Sequence, residues 1–226
     1  MEGSVFFITG IDTDIGKTIC TGLLARYLSD NKCSVITQKL VQTGCKKLSE
    51  DILLHRKMMG IEPLEVDLKG LTCRYVFNKP CSPHLAAEIE NRVIDCDLIK
   101  TDSKNLLKNY NYLLLEGAGG LCTPITRDIS SLDYVQDNHY PLIVVTSSRL
   151  GSLNHTLSLV ELCSVRNITI AGILYNRFAE QDAEIGADSK QVIEEGLQKF
   201  GYSCPVIEIW DKNKAIEYDF SKIFKI

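Results

Sequence analysis

The chain begins with an apolar stretch that leads into a glycine-bearing loop, and this order strongly limits the possible folds. Val5-Phe6-Phe7-Ile8 has the length and the β-branched and aromatic bias of a buried strand. The loop Gly10–Thr18 follows and ends in Gly-Lys-Thr, after which Thr18–Leu28 carries leucines at helical spacing. Strand, loop and helix in this order are typical of a P-loop, whose backbone N–H groups point at phosphate oxygens.

A P-loop assigns a role to each position of this segment. Lys17 is predicted to reach the β- and γ-phosphates of a nucleoside triphosphate, and the Thr18 hydroxyl to hold Mg²⁺. The loop departs from the usual pattern, because five residues separate Gly10 from Gly16 and Ile11 stands where the first glycine is expected. The alternative is an ordinary strand-to-helix turn with a chance Gly-Lys-Thr. The loop residues predicted to bind ATP are Asp14, Ile15, Gly16, Lys17, Thr18 and Ile19.

Length and charge exclude several classes of protein. The 226 residues fit one large domain, and we find no linker or repeat that would divide residues 1–226. The net charge of −4, without a long basic run, argues against a nucleic-acid partner. The sequence shows neither a membrane-spanning apolar stretch nor a signal peptide, so we expect a cytoplasmic protein with no membrane partner.

Cysteine and histidine usage gives no sign of a disulfide framework or of a zinc site. The nine cysteines are odd in number, form no Cys-x-x-Cys pair and lie partly inside apolar runs. We therefore expect free thiols in a reducing compartment. The four histidines show no metal-ligand spacing, so no structural zinc is expected.

Apolar runs alternate with helical patterns along the chain. Continuous hydrophobicity in the runs indicates strands covered on both faces, which predicts a doubly wound α/β fold with a mainly parallel sheet and helices on both faces. The predicted strands are Val5–Ile8, Ser34–Thr37, Tyr112–Leu115, Leu142–Thr146, Ile168–Tyr175 and Val206–Ile209. The predicted helices after the first are Asp51–Met59, Pro83–Glu90, Thr101–Lys108, Leu132–Gln136, Leu153–Val165 and Ser189–Phe200.

Ligands of such a sheet bind beyond the carboxyl ends of its strands, where this chain has several charged residues. Glu116 is expected to end a buried strand and suits a Mg²⁺ ligand, although a turn acid would look the same. Lys39 ends the second strand and could offer charge to a phosphate or oxyanion, or lie on the surface in solvent. Asp51 is expected to begin the next helix. It could supply a second carboxylate to Mg²⁺, or it could simply compensate the helix dipole. The glycine-rich residues predicted to approach ATP closely are Gly117, Ala118 and Gly119.

Two further segments follow buried strands. Free N–H groups at the start of the helix after Gly151 could bind a carboxylate, although Ser152 or Asn154 could instead cap that helix. Asn176 has the donor and acceptor needed to read an adenine edge, but asparagine is also a common turn residue.

Together these segments resemble the dethiobiotin synthetase family of ATP-dependent carboxylases, from Gly10 to about Ile209. The resemblance implies that one amine of 7,8-diaminononanoate takes up CO₂ as a carbamate. ATP then phosphorylates the carbamate, and the second amine closes the ureido ring and releases phosphate. The segments that carry the resemblance are Gly10–Thr18, Lys39–Gly44, Ser82-Pro83-His84, Glu116–Gly120, Leu150–Thr156 and Asn176-Arg177.

The resemblance also implies roles for individual residues. Lys17 and Lys39 would neutralise γ-phosphate and carbamate oxygens, while Thr13 and Thr43 would contact the reacting end of the substrate. The residues implied to hold Mg²⁺ are Thr18, Asp51 and Glu116. The residues implied to hold the distant substrate carboxylate, at a site completed across a homodimer interface, are Gly151, Ser152, Leu153 and Asn154. The residues implied to hold adenine are Asn176 and the segment Glu208-Ile209-Trp210, and Arg177 is implied as a further ATP-binding residue.

Some positions depart from the family pattern, and other functions use a similar loop. Leu40 replaces the usual proline after Lys39, Ile11 replaces a common threonine, and the usual Pro- and Asn-containing stretch is missing after Trp210. A partitioning-type switch ATPase is the main alternative, but such proteins carry a signature lysine where this chain has Asp12. A cobyrinate ligase would need an additional glutaminase domain, and a nucleotide-binding module without chemistry would not need both lysines and Glu116.

Overall fold

The computed structural model describes residues 3–178, 180, 182–210 and 218–224. The strands are β1 Ser4–Gly10, β2 Val35–Lys39, β3 Gln42–Thr43, β4 Val76–Phe77, β5 Tyr112–Gly120, β6 Leu142–Ser147, β7 Ile170–Asn176 and β8 Val206–Ile209. The helices are α1 Lys17–Asp30, α2 Glu50–Met59, α3 Glu65–Leu68, α4 Pro83–Ile89, α5 Cys96–Leu106, α6 Ser131–Asn138, α7 Ser152–Val165, α8 Ala183–Lys199 and α9 Ser221–Phe224.

Six strands form one parallel sheet in the order β2-β5-β1-β6-β7-β8. Side chains of β1 alternate between two hydrophobic cores, with Phe7 on one face of the sheet and Phe6 and Ile8 on the other. Leu23 of α1 packs into the core of Phe6, whereas Val160 of α7 packs into that of Phe7. The predicted doubly wound α/β fold with helices on both faces is therefore confirmed.

Several predicted boundaries were wrong, because capping residues extend the elements beyond their apolar patterns. Helix α5 begins at Cys96 rather than Thr101, since the Asp95 side chain accepts hydrogen bonds from the first-turn amides. Helix α8 likewise begins at Ala183 rather than Ser189, behind the Asp182 cap. Strands β3 and β4 form a separate two-stranded sheet that the sequence did not predict, because strands of two residues carry no periodicity.

Glu116 does not end its strand, which corrects the sequence prediction. β5 continues through the glycines to Gly120, where it pairs with Gly10 of β1. Glycine is required within this stretch, because a Cβ on Gly117 would lie 2.9 Å from the Phe7 ring. Pairing with β2 places Glu116 directly beside Lys39. The strand register therefore brings a carboxylate and an ammonium together.

A buried ion pair anchors α2 to the sheet. The Arg56 guanidinium donates to the Asp67 carboxylate at 2.8 and 2.9 Å and to the Thr37 hydroxyl of β2 at 2.8 Å. Arg56 and Asp67 are nearly inaccessible to solvent. Because α2 also carries Asp51, this pair fixes the position of that carboxylate relative to β2.

Candidate active site

A crevice of about 810 Å³ lies between the loop after β1, the start of α2 and the second half of β5. Lys17 and Lys39 both line it, as do the Asp51 and Glu116 carboxylates. Pro80, Cys81, Ser82 and Pro83 form another wall. The predicted site residues that line the crevice are Thr13, Asp14, Gly16, Lys17, Thr18, Ile19, Lys39, Thr43, Asp51, Glu116, Ala118 and Gly119.

The loop before α1 has the backbone conformation of an anion-binding turn. Asp14 and Gly16 both have positive φ, at 54° and 99°, and Gly16 stands at the N-cap of α1. The Lys17 ammonium donates to the Asp12 carbonyl at 2.9 Å. Burial, together with the nearby Lys39, lowers the pKa of Lys17 to about 8. A phosphate in the crevice would favour the charged form of Lys17.

Lys39 lies between two carboxylates. Its ammonium is 2.5 Å from Asp51 Oδ2 and 2.7 Å from Glu116 Oε1, and it donates to the Gly117 carbonyl at 3.0 Å. The Thr18 hydroxyl lies 3.1 Å from both Asp51 Oδ1 and Glu116 Oε1. Lys39 is buried, so the alternative of a solvated surface lysine is wrong.

Electrostatic interactions keep Lys39 and Glu116 charged despite their burial. Burial alone would lower the pKa of Lys39, but the Glu116 and Asp51 carboxylates outweigh it and raise the pKa above the usual lysine range. Burial would likewise raise the pKa of Glu116, whereas Lys39 and His55 hold it well below the usual carboxyl range. The Glu116 carboxylate is therefore negatively charged at the floor of the crevice, next to the positively charged Lys39 ammonium.

The oxygen atoms in this network suit Mg²⁺. A hydroxyl and two carboxylates are hard ligands, and Mg²⁺ is usually held by one or two carboxylates together with substrate phosphates and water. Among the described residues, no group of three or more His, Cys, Asp or Glu side chains is placed to hold a metal ion. All nine cysteines are free thiols. A magnesium ion here would therefore depend on the nucleotide to complete its coordination.

Three residues in this network, Gln42, Ser49 and His55, were not predicted from the sequence. The Gln42 carbonyl oxygen accepts from the Ser49 hydroxyl at 2.6 Å and from the Asp51 amide at 3.3 Å, which ties β3 to the start of α2. His55 Nε2 lies 2.9 Å from Glu116 Oε2. The i, i+4 spacing of Asp51 and His55 on one helix face was the available sequence signal for His55.

The predicted adenine-binding residues do not line the crevice, and their side chains have partners within the chain. Asn176 donates to the Ile15 carbonyl at 2.9 Å and accepts from the Phe178 amide. One N–H hydrogen and one oxygen lone pair of its side-chain amide therefore remain for a ligand. Arg177 pairs with Glu180 and Glu208. Ile209 is wholly buried, and its carbonyl accepts from the Arg177 amide at 2.9 Å. The sequence departs from the family pattern after Trp210, and the residues that follow it directly, 211–217, lie outside the described residues.

The start of α7 also lies outside the crevice lining. Within the described residues no side chain caps this helix, so the alternative of a Ser152 or Asn154 cap is wrong. Ser152 Oγ instead lies 2.9 Å from Ser147 Oγ. A second cavity of about 540 Å³ reaches His155 in the first turn of α7 and shares Thr13 and Thr123 with the crevice. The two cavities are therefore neighbours.

Fold and loop define the chain as a P-loop nucleotide-binding protein. The family described as an AAA domain matches residues 4–209. The ATP-dependent dethiobiotin synthetase BioD 2 of Haemophilus influenzae is 53% identical over 180 residues, covering 80% of this chain and 94% of the relative. The synthetase BioD of Chlorobaculum tepidum is 49% identical, covering 92% and 88%. The chain belongs to the dethiobiotin synthetase family, and it is an ATP-dependent ligase of biotin biosynthesis.

Solved structures show the fold at lower identity. A ParA family ATPase from Chlorobium tepidum has a TM-score of 0.54 at 18% identity, covering 98% of this chain and 89% of that one. The cell division protein FtsY of Thermotoga maritima has the same TM-score at 15% identity, covering 99% and 67%. In the part of the chain that the structure describes, no helix combines the length and apolar character needed to cross a membrane.

Proposed function

We propose that this enzyme carboxylates 7,8-diaminononanoate with CO₂ and closes the ureido ring to give dethiobiotin, ADP and phosphate. One amine adds to CO₂ and loses a proton to form a carbamate. A carbamate oxygen takes the γ-phosphoryl group from ATP, and the second amine then attacks the carbamate carbon and expels phosphate. The observation that carries the proposal is one crevice lined by two lysines, two carboxylates and the P-loop.

The two lysines offset the repulsion between the reactants. Carbamate and triphosphate are both anionic, so their approach costs Coulomb energy inside a partly dry crevice. Lys17 would meet the β- and γ-phosphate oxygens, and Lys39 the carbamate and the transferring phosphoryl group. Thr13 and Thr43 line the same crevice and would hydrogen-bond the reacting end of the diamine. Holding both reactants in register also removes part of the entropic barrier.

The chain's own oxygen donors would hold Mg²⁺ at the crevice floor. The Thr18 hydroxyl lies within 3.1 Å of carboxylate oxygens of both Asp51 and Glu116, so these groups converge on one place. When bound, Mg²⁺ supplies positive charge that orients and neutralises the β- and γ-phosphates.

The remaining ATP and substrate contacts are proposed from the family resemblance. Gly151, Ser152, Leu153 and Asn154 would bind the distant carboxylate through the start of α7, next to the second cavity. Helix α7 has 14 residues, which supports a partial positive charge at that end. Asn176 would use its remaining donor and acceptor for adenine, near Arg177 and Ile209.

The function is tested by supplying purified protein with MgATP, bicarbonate and the diamine. We expect ADP and dethiobiotin in equal amounts, measured by a coupled ADP assay and mass spectrometry. Omitting the diamine is the control, and it should abolish most ADP formation. ATP hydrolysis that ignores the diamine would instead favour the partitioning-type switch ATPase.

A homodimer is expected to complete the substrate site. Leu150, next to the proposed carboxylate site, is 93% exposed in the single chain, which suits an interface residue. We expect light scattering to give a dimer, and Leu150→Asp to weaken it and to raise KM for the diamine. Val165→Asp is a matched control, because Val165 is also an exposed apolar residue but lies about 20 Å farther along α7. A monomeric wild type, or equal effects of both variants, would contradict this arrangement.

A further inference from the structure

His55 is a fully buried histidine in the second turn of α2, one helical turn after Asp51. It does not line the crevice. Its Nε2 atom lies 2.9 Å from Glu116 Oε2, and Glu116 is itself inaccessible to solvent. A polar side chain buried behind a carboxylate of the crevice requires a hydrogen-bonding role, because burying it without a partner costs free energy.

The two oxygens of Glu116 face different partners. Oε2 faces His55, whereas Oε1 lies 2.7 Å from the Lys39 ammonium and 3.1 Å from the Thr18 hydroxyl. A partial rotation of the carboxylate would move one oxygen away from His55 and the other away from Lys39 and Thr18. The hydrogen bond to His55 therefore fixes the plane of the carboxylate, and with it the direction of the oxygen that faces Thr18 and the crevice.

The surroundings of the ring select one tautomer. Among the described residues, His55 Nδ1 has no hydrogen-bond partner, while Nε2 faces the carboxylate. A proton on Nε2 gives Glu116 a donor and leaves only a lone pair unpaired. A proton on Nδ1 alone would bury an unpaired N–H and turn a lone pair toward the carboxylate. The geometry thus makes His55 a donor to Glu116.

We propose that His55 is a positioning residue that orients Glu116 as a metal ligand, on the basis of the magnesium site proposed above. It touches neither reactant, and it acts by holding Glu116 Oε1 toward Thr18 and Asp51. Partners that orient a ligand in this way commonly change metal affinity by about 10- to 100-fold when they are removed.

Two amide variants separate the hydrogen bond from the packing. In His55→Gln, the amide nitrogen can occupy the place of Nε2 and donate to Glu116. His55→Asn ends one carbon shorter, at the place of Nδ1, and cannot reach the carboxylate. Both put an amide in the same buried position, so their folding costs are comparable. Met59→Ala, one turn farther along α2 and also buried, controls for loss of packing alone.

The readout is Mn²⁺ binding to the protein with a non-hydrolysable ATP analogue, followed by electron paramagnetic resonance without turnover. We expect His55→Asn to weaken Mn²⁺ binding by about 10-fold. We expect His55→Gln to stay within about threefold of wild type, because it keeps one hydrogen bond of similar strength, and Met59→Ala to leave Mn²⁺ affinity unchanged. At saturating Mg²⁺, His55→Asn should recover most of its kcat.

Equal Mn²⁺ affinity in the Asn and Gln variants would overturn the role of His55, as would an equal loss in Met59→Ala. If His55→Asn does not fold, a loss of Mn²⁺ affinity of about 10-fold or more in His55→Gln refutes the proposal, and near-normal affinity supports it. Glu116→Gln in the same assay separates failure of the proposed magnesium site from failure of the positioning role of His55. Normal Mn²⁺ binding by that variant would refute the metal site itself, whereas weak binding beside a normal His55→Asn refutes only the positioning role.

Discussion

Replacing Lys39 with alanine should lower turnover by at least about 100-fold while leaving ATP affinity near normal, as for loss of a group that stabilises a developing oxyanion. Lys17 and the P-loop amides would still bind the phosphates, because Lys39 is directed at Asp51 and Glu116 instead. Steady-state kinetics with saturating diamine, together with nucleotide titration by calorimetry, would measure both quantities.

This variant also tests the buried charges. Removing one partner of a buried ion pair commonly costs about 3–5 kcal/mol, because the remaining charge is left unpaired. Thermal unfolding with and without Mg²⁺ therefore belongs to the experiment, so that lost turnover is not mistaken for lost folding. Lys47→Ala, at an exposed lysine, is the matched control and should leave turnover unchanged. Unchanged turnover in Lys39→Ala would remove Lys39 from the mechanism.

Replacing Glu116 with glutamine should raise the Mg²⁺ concentration needed for half-maximal rate by at least about 10-fold, since loss of a direct ligand should cost at least as much as loss of a residue that orients one. The substitution keeps the shape of the side chain but removes the charge that faces Lys39 and Thr18. Magnesium titration at fixed total ATP, measured as the initial rate, would show the shift.

The control for Glu116→Gln is Glu65→Gln, which neutralises an exposed carboxylate that is also paired with a lysine. Its magnesium titration should match wild type. If the magnesium titration of Glu116→Gln also matches wild type, the Glu116 carboxylate only balances the charge of Lys39. Glu116 is then not one of the magnesium ligands.

Much of the fold and part of the candidate site could be predicted from local patterns. The P-loop was visible because strand, loop and helix are contiguous, and the parallel sheet because its strands are continuously apolar. Element boundaries were less accurate at Cys96 and Ala183, since the capping aspartates lie outside the apolar pattern. The end of β5 was misplaced because glycines usually break strands, whereas here the strand continues through them to Gly120, which pairs with Gly10 of β1.

The partners of the charged residues could not be predicted in the same way. Lys39 could equally be a surface lysine and Glu116 a turn acid, because a sequence does not show which strands are neighbours. Asn176 was interpreted as an adenine-binding residue, yet its amide also holds the Ile15 carbonyl of the P-loop. His55 gave no metal-ligand spacing, since it contacts a carboxylate 61 residues away instead of a metal ion.

The sequence by itself determined the nucleotide-binding loop, the alternation of strands and helices and the membership of a family, because each depends on residues that are close along the chain or on their order. Only the tertiary structure decided that β2 lies beside β5, and that their register sets Lys39 against Glu116 across a separation of 77 residues. The physical reason is that hydrogen-bonded pairing between distant strands, and the burial it brings, places opposite charges in contact and holds them there.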